Sequence, residues 1–390
     1  MATPVAAWLA EAASAHPALA EKVSALGELH DKKLWHELTL EVEAFVASPE
    51  AKAAKGMLLG MYNRFLSDFQ DRINPLKLAQ VAVAVSGEHA TRPEAVGFLD
   101  GVTAKLAEHK EPTEESALYV RMHVALLRLH EGEAGACKQL VEEGSASLDK
   151  LASPDPAVSA SVHFAAAQLA KSKQDFAAFY RSALLYLAYT QAESLPPATQ
   201  LELATDLSLA ALLGENVYNF GELLAHPLLQ SLVGTSFEWL KRVLEVFHAG
   251  DLHAYDELCM AYADQLNAQP ALVANERKLR EKITILALME IIFQLPSEDR
   301  VISLEQIAER TKLPLDGVEF LLMKTLSVHL IEGIIDQVAG TVRVSWVQPR
   351  VLLVPQIQEL RSRLDGWTEK VATAVASFES ESSPEIMAAA

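Results

Sequence analysis

Cysteine is scarce in this sequence of 390 residues. Its two cysteines, Cys137 and Cys259, lie far apart, and neither has a neighbouring histidine. A disulfide framework needs several cysteines, and a structural zinc site needs pairs of Cys or His ligands at short spacing. The sequence therefore predicts neither kind of site. We expect both cysteines to be small apolar core residues in a reducing compartment.

Long apolar runs are also missing. The longest, ITILALMEIIFQL at residues 283–295, is too short to cross a bilayer, and Glu290 interrupts it. The alanine-rich N-terminus has no basic stretch, and it contains Glu11, which favours a helix over a signal peptide. We therefore predict a soluble, intracellular protein that does not bind membranes.

Positive charge is in short supply. The sequence has 33 Lys and Arg against 52 Asp and Glu, which gives a formal net charge of −19. An acidic protein is repelled by the phosphates of nucleic acids and by anionic lipid headgroups. Neither nucleic acid nor a membrane surface is therefore an expected partner.

Motifs that carry known chemistry are absent. The sequence has no G-x-x-x-x-G-K-S/T nucleotide loop, no H-E-x-x-H metal pair and no G-x-S-x-G nucleophile elbow. His36-Glu37 begins a metal pair, but the sequence continues with LTL and the second histidine is missing. His226 stands before Pro227 and is expected to mark the end of a helix, because no second ligand stands at a suitable spacing. We therefore predict no catalytic residue, no cofactor, no metal and no enzymatic activity.

Helix-forming residues, by contrast, are abundant. Hydrophobic residues make up 50% of the sequence but aromatic residues only 7%, and Ala and Leu dominate the apolar share, which favours helix over sheet. Up to about residue 295, apolar residues recur at helical spacing, with short breaks at Asn74-Pro75, Glu111-Pro112 and residues 153–156. This pattern predicts a predominantly all-α chain with an α-solenoid of tetratricopeptide-like repeats, although no strict sequence repeat is present.

Two of the predicted helices are long. One covers residues 55–73 and the other residues 272–293. The first places these apolar residues on one face: Leu58, Met61, Tyr62, Phe65 and Phe69. The second does the same with Leu279, Ile283, Leu286, Ile291 and Ile292. Both faces are expected to be buried.

Residues 296–350 follow a different order. Ser303 is followed three residues later by Gln306, the spacing of a capping box, which predicts the start of a short helix. Pro314 suits the first position of a second helix, and Gly333 is expected to end it. That helix has one apolar stripe, made of Val318, Leu321, Leu322, Thr325, Leu326, His329 and Leu330.

Two strands come next. The first is predicted to begin at Ile334-Ile335, and Ala339-Gly340 provides the turn after it. Apolar residues then alternate with polar ones, as in a half-buried strand: Val342, Val344 and Trp346. Two helices followed by a small β-wing form a winged helix. Arg343 and Ser345 are predicted to lie at the exposed edge of the wing, as a protein interface where a neighbour could extend the sheet.

Winged helices often bind DNA, but this segment lacks the charge for it. Residues 296–350 contain six Lys and Arg against eight Asp and Glu, a net charge of −2. The helix that would enter a groove has Asp316 and Glu319 near its start and only Lys324 inside. Because phosphate contacts dominate affinity for nucleic acids, we expect this winged helix to bind protein. The alternative, a winged-helix nucleic-acid-binding protein, needs a basic face.

The last predicted helix, at residues 356–380, has apolar residues at alternating intervals of three and four. They are Ile357, Leu360, Leu364, Trp367, Val371, Ala374 or Val375, and Phe378. Such a heptad seam packs against partner helices, since a single helix of this length is marginally stable in water. We therefore predict a protein interface within a helical bundle. The alternative is a helix that folds back onto its own domain.

The order of helical repeats, winged helix and terminal helix resembles the PCI-domain family, the shared module of the proteasome lid, the COP9 signalosome and translation initiation factor three. Five segments resemble the proteasome-lid members in particular: KKLWHELTLEV (32–42), NFGELLAHPLLQSL (219–232), LVANERKLREKI (272–283), LMKTLSVHLIEGIID (322–336) and WVQPRVL (346–352). They keep their order over most of the chain. The alanine-rich N-terminal helix and residues 133–156 depart from the resemblance.

The resemblance implies N-terminal helical repeats at 1–170, a PCI domain at 171–350 and a C-terminal helix and tail at 351–390. The PCI domain would comprise a helical part, 171–295, and the winged helix, 296–350. The implied function is that of a non-catalytic scaffold subunit, which supports lid assembly and ubiquitin-dependent protein degradation in the cytoplasm and nucleus. Its partners would be other lid subunits, with the ubiquitin-receptor and deubiquitinase subunits as further candidates. A scaffold subunit of a related PCI complex is the alternative.

Overall fold

The structure, a computed structural model, describes residues 4–54, 56–107, 113–295, 300–349, 351 and 354–381. It divides into an N-terminal unit, Met1–Leu195, and a C-terminal unit, Pro196–Ala390. The boundary predicted at residue 170 falls inside a helix of the first unit, Pro156–Ser172. This helix packs against the one that follows it, so both stay in the same unit.

The N-terminal unit consists of helices that contact their neighbours in sequence. From α6 onwards each helix packs against its successor, and α8 also contacts α6 and α10, which matches the predicted stacking of helical repeats. The helices are α1 (Pro4–Ala15), α2 (Ala20–Asp31), α3 (Trp35–Ala47), α4 (Pro49–Ala53), α5 (Met57–Gly60), α6 (Pro75–Ser86), α7 (Arg92–Ala107), α8 (Glu114–His130), α9 (Ala134–Leu148), α10 (Pro156–Ser172) and α11 (Phe176–Tyr189).

Helix starts in this unit follow from the residues at the sequence breaks. The Asn74 side chain accepts a hydrogen bond from the backbone N–H of Leu76 at 2.9 Å, and Pro75 is the first residue of α6. Asp155 caps α10 in the same way through Ala157 N–H at 2.8 Å. These side chains satisfy amide groups that have no partner inside the helix.

The helix predicted over residues 55–73 is not continuous. After α5 the chain forms a π-helical turn, Met61–Phe65, and two short 3₁₀ turns, Leu66–Asp68 and Gln70–Arg72. All five apolar residues predicted for its face are nevertheless buried. The π-helical and 3₁₀ turns bring Phe65 and Phe69 into one aromatic cluster, with ring centroids 5.2 Å apart. Packing of these rings thus overrides regular helical spacing.

The C-terminal unit begins with a second set of helices. They are α12 (Pro197–Leu213), α13 (Gly221–Ala225), α14 (Glu238–Ala249), α15 (Leu252–Ala261), α16 (Ala263–Asn267), α17 (Pro270–Ala274) and α18 (Glu276–Gln294). The single helix predicted over residues 272–293 is thus divided at Asn275. The Asn275 side chain donates a hydrogen bond to the carbonyl of Ala271 at 2.9 Å, and such bonds compete with the helical pattern.

The winged helix contains α19 (Leu304–Thr311) and α20 (Leu315–Ser327). The predicted cap is confirmed, because Ser303 Oγ accepts a hydrogen bond from Gln306 N–H at 3.2 Å. Pro314 immediately precedes α20 instead of being its first residue. The prediction that Gly333 ends this helix is wrong.

Helix α20 ends earlier, at Ser327, and a Schellman motif that includes His329 follows it. His329 takes the left-handed conformation, with a φ of 55°. The amides of His329 and Leu330 donate to the carbonyls of Leu326 and Thr325, both at 3.1 Å. His329 is therefore exposed and does not belong to the buried stripe.

The sheet has three antiparallel strands in the order β1 (Val301–Ser303), β3 (Thr341–Val347), β2 (Ile331–Asp336). Strand β1 is absent from the prediction, and β2 begins three residues before the predicted start. The predicted turn is confirmed, with Gly340 at a φ of 64°. Because β3 is the central strand at this point, the prediction that Arg343 lies at an edge is wrong: Arg343 pairs with both Val301 and Ile334. Ser345 lies beyond the pairing with β1 and adjoins only β2 among the described strands.

A β-bulge changes which side chains of β3 are buried. Ser345 and Trp346 together oppose the single residue Glu332. The extra residue reverses the alternation, so Val342 and Val344 are buried as predicted but Trp346 is 40% exposed. Val347 is buried in its place.

Candidate interaction surfaces

Helix α21 (Val354–Glu381) has 28 residues and is about 42 Å long at a rise of 1.5 Å per residue. No residue is buried among those of α21 whose side chains the structure places. The exposed apolar residues are Ile357 (51%), Leu360 (48%), Leu364 (56%), Trp367 (66%), Val371 (42%), Val375 (50%) and Phe378 (76%). These exposures do not match a helix folded back onto its own domain.

The predicted seam residues therefore form one exposed apolar row, which we call the seam of α21. It consists of Ile357, Leu360, Leu364, Trp367, Val371, Val375 and Phe378. A continuous apolar row of this length on a water-facing helix is typical of a surface that binds another protein. Its spacing of three and four is the one that partner helices cover.

The outer face of the sheet is a second exposed surface. Arg343 and Ser345 point away from the core of the winged helix, and Ser345 Oγ donates a hydrogen bond to the carbonyl of Glu332 at 3.1 Å. Across the strands, Arg343 lies between Val301, which is 44% exposed, and Ile334, which is 73% exposed. The structure thus places Arg343 beside apolar side chains on a face. Its role as an interface stays a prediction.

The outward face of α20 carries apolar and acidic side chains. Phe320 is 66% exposed and Met323 is 60% exposed, and Asp316 is exposed beside them. Lys324, the one cation expected inside this helix, forms an ion pair with Glu281 of α18. An apolar and acidic face does not complement the phosphates of a nucleic acid, whose recognition needs free cations.

Lys282 of α18 is a structural residue that sequence reasoning missed. It is only 8% exposed, and its ammonium donates to the carbonyls of Ala211 at 2.7 Å, Leu212 at 3.1 Å and Gly214 at 2.9 Å. These carbonyls are at the C-terminal end of α12, where the helix dipole favours a cation. The position of this lysine directly before the apolar run ITILAL could have indicated that it is buried.

Burial lowers the pKa of Lys282 to about 7. The three carbonyls act in the opposite direction, because only a protonated amine has three N–H donors for them. The rings of Tyr218 and Phe220 also face the ammonium, at 5.7 and 5.3 Å. Lys282 therefore fixes α18 to the end of α12, while the neighbouring Glu281 joins α18 to the winged helix.

Histidine and acidic side chains have structural surroundings in the described part of the chain. Among the residues that the structure describes, no three His, Cys, Asp or Glu side chains are grouped as metal ligands. His226 caps the 3₁₀ turn Pro227–Leu232, and its Nδ1 accepts a hydrogen bond from Leu228 N–H at 3.1 Å. None of the described helices has the length and apolar character that a membrane crossing requires.

Comparison with known proteins agrees with this architecture. A family model described as PSD13 N-terminal repeats matches residues 22–244, and a PCI domain model matches residues 259–346. The chain is 51% identical to 26S proteasome non-ATPase regulatory subunit 13 homolog B of Arabidopsis thaliana, over 98% of this chain and 99% of the relative.

The similarity to more distant relatives also extends over most of each chain. The chain is 35% identical to 26S proteasome non-ATPase regulatory subunit 13 of Dictyostelium discoideum, over 92% of each chain. It is 32% identical to 26S proteasome regulatory subunit RPN9 of Saccharomyces cerevisiae, again over 92% of each chain. With its helical repeats, its PCI domain and these identities, the chain belongs to the family of 26S proteasome non-ATPase regulatory subunit 13.

Proposed function

We propose that this chain is a non-catalytic scaffold subunit in the lid of the 26S proteasome regulatory particle. It supports assembly of the lid, and through it ATP- and ubiquitin-dependent protein degradation in the cytoplasm and nucleus. The family and the names of the relatives support this proposal. The observation that carries it is the exposed seam of α21, which is built to be covered by other helices.

The partners in this proposal are other lid subunits, with the ubiquitin-receptor and deubiquitinase subunits as further candidates. Their helices cover the seam of α21. A neighbouring PCI domain covers the winged helix. The contact surface is the outer face of the sheet, with Arg343, Ser345 and Ile334, and not a strand edge. Among the described strands, β3 is paired on both sides over residues 341–343, and its residues 345–347 adjoin β2 alone.

The seam is tested by replacing Leu364 and Trp367 with aspartate. Both side chains lie near the middle of the seam, and a buried unpaired carboxylate is costly. The variant should be missing from regulatory particles purified from its own cells, as measured by native mass spectrometry. The matched control is Ser362→Asp with Thr373→Asp, which adds the same charge on the opposite face of α21.

Comparison of the two variants separates loss of the seam from a general effect of added charge. Circular dichroism should show that both keep the helical signal of the wild-type chain. Incorporation of the control and loss of the seam variant supports the proposal. If the seam variant enters the complex as efficiently as the control, the seam is not an assembly element and the proposal fails.

A further inference from the structure

An open cleft lies in the N-terminal unit, between α6, α8, α10 and α11. Its volume is about 770 Å³, and we call it the tyrosine groove. Its aromatic lining consists of Tyr119 and His123 from α8, Phe164 from α10, and Tyr186 and Tyr189 from α11. The scaffold role proposed above does not use this groove, because the winged helix and α21 belong to the other unit.

Both charged side chains of the groove already have partners elsewhere in the unit. Lys77 and Asp155 are the charged side chains in its lining. Lys77 forms an ion pair with Glu43 at 2.8 Å, and Asp155 already accepts a hydrogen bond from the first turn of α10. The other polar lining residues are uncharged: Gln80, Ser161, Thr190, Gln191 and Ser194. Such a lining does not select a phosphate or a strongly charged segment.

His123 provides a hydrogen-bond acceptor in this groove. Its Nδ1 lies 3.0 Å from the carbonyl oxygen of Tyr119 and must carry the proton, since a carbonyl only accepts. Burial lowers the pKa of His123, although the bond to Tyr119 opposes this, so the ring is neutral at pH 7. Within the described part of the chain, the remaining lone pair on Nε2 has no hydrogen-bond partner.

The tyrosines provide the matching donors. Burial raises the pKa of Tyr119 and of Tyr186, although a hydrogen bond with Thr190 opposes this at Tyr186, so both hydroxyls stay protonated at neutral pH. The two rings belong to different helices, α8 and α11, so they line the groove from two sides. The groove thus offers donors and an acceptor between apolar rings, which is what the alternating C=O and N–H groups of a peptide backbone require.

We propose that the tyrosine groove binds an extended, uncharged peptide segment of a partner protein, with a backbone N–H of that segment donated to His123 Nε2. Tyrosine rings offer large and rigid contact area, while serine and amide side chains adapt their hydrogen bonds, as in antibody binding sites. Helical repeats commonly bind their ligands on such surfaces. An extended peptide fits because the cleft is open and its lining comes from four helices.

The test uses the purified full chain and overlapping synthetic peptides that tile the proteins that co-purify with it. Tyr189→Ala removes an aromatic wall that is 47% exposed, so the fold should survive. His123→Ala removes the acceptor. The matched control is Leu185→Ala on the same helix, which is also 47% exposed but does not line the groove.

We expect the wild-type chain to bind a small set of peptides whose centres carry no charge. Tyr189→Ala and His123→Ala should each weaken this binding by roughly tenfold, and Leu185→Ala should leave it unchanged. The proposal is overturned if no peptide binds, or if the two groove variants bind as tightly as the control. It is also overturned if the bound peptides are selected for Lys, Arg, Asp or Glu, because the groove would then recognise charge.

Discussion

Replacing Lys282 with methionine removes the ammonium that caps the end of α12 but keeps a side chain of similar length. The carbonyls of Ala211, Leu212 and Gly214 then lose their donor. Each buried acceptor left without a partner costs about 1–3 kcal/mol. Methionine also removes the cost of burying a charge, which offsets part of this loss. We therefore expect the C-terminal unit to lose roughly 2–4 kcal/mol of unfolding free energy.

The size of this loss should depend on pH. The folded pKa of Lys282, about 7, is lower than its ordinary value of 10.5. Between these values the unfolded chain binds a proton that the folded chain has released, so the unfolding free energy of the wild type rises with pH. Methionine does not titrate. The difference between wild type and variant should therefore grow above pH 7, by at most roughly 1.4 kcal/mol per pH unit, and stay constant below it.

Hydrogen exchange followed by mass spectrometry measures this locally, which matters in a chain with two units. The amides of α12 and α18 should exchange faster in Lys282→Met. The control is Lys278→Met, since Lys278 lies on the same helix, is 64% exposed and pairs with Glu215 at the surface. Equal exchange in the two variants would refute the stabilising role of the cap. A difference that does not change between pH 7 and 9 would refute the lowered pKa.

Three further substitutions test the winged helix and its junction with α21. Val344→Asp buries a charge and should unfold the sheet, seen as lost amide protection in β2 and β3; retained protection would contradict the strand register. Gly221→Ala places a Cβ 2.5 Å from the carbonyl oxygen of Val351, so it should speed proteolysis before α21, and an unchanged rate would contradict that contact. Ser303→Ala should lower the stability of the winged helix by about 1 kcal/mol in urea denaturation, whereas Glu309→Ala, exposed in the last turn of the same helix, should not.

The elements that sequence predicted well depend on neighbours close in the chain. The cap formed by Ser303 and Gln306 involves residues three apart, and the breaks predicted at Asn74-Pro75 and residues 153–156 depend on prolines beside them in the sequence. Apolar spacing along a helix is also local, which is why the seam of α21 was predicted residue by residue. That partner helices cover this seam stays a prediction.

What the sequence did not predict depends on residues far apart in the chain. Strand β1 has three residues and no pattern of its own, and it exists because it pairs with β3 some forty residues later. The exposure of Trp346 follows from a bulge opposite Glu332, which no alternation rule locates. Lys282 is stable in the core only because carbonyls 68–71 residues away meet it.

The tyrosine groove also depends on residues that are far apart in the chain. Its lining comes from four helices, and the residues between Leu76 and Ser194 that form it have no shared motif. Each tyrosine looks like an ordinary core residue along its own helix. Only the stacking of α8 against α10, and of α10 against α11, brings them to one cleft. A site of this kind requires the fold before it can be recognised.

The energetics of α21 explain why two substitutions in its seam should be enough to release the subunit from its complex. Covering an apolar side chain of this size contributes about 1.5–3 kcal/mol, so seven residues could provide roughly 10–20 kcal/mol if they were exposed in full. They are already partly covered by their own helix, since their exposures range from 42% to 76%, which reduces this sum by about half. Association itself costs at least about 4 kcal/mol, so the surplus is small. Because Leu364 and Trp367 supply about a third of the covered surface, two aspartates there should remove that surplus and release the subunit.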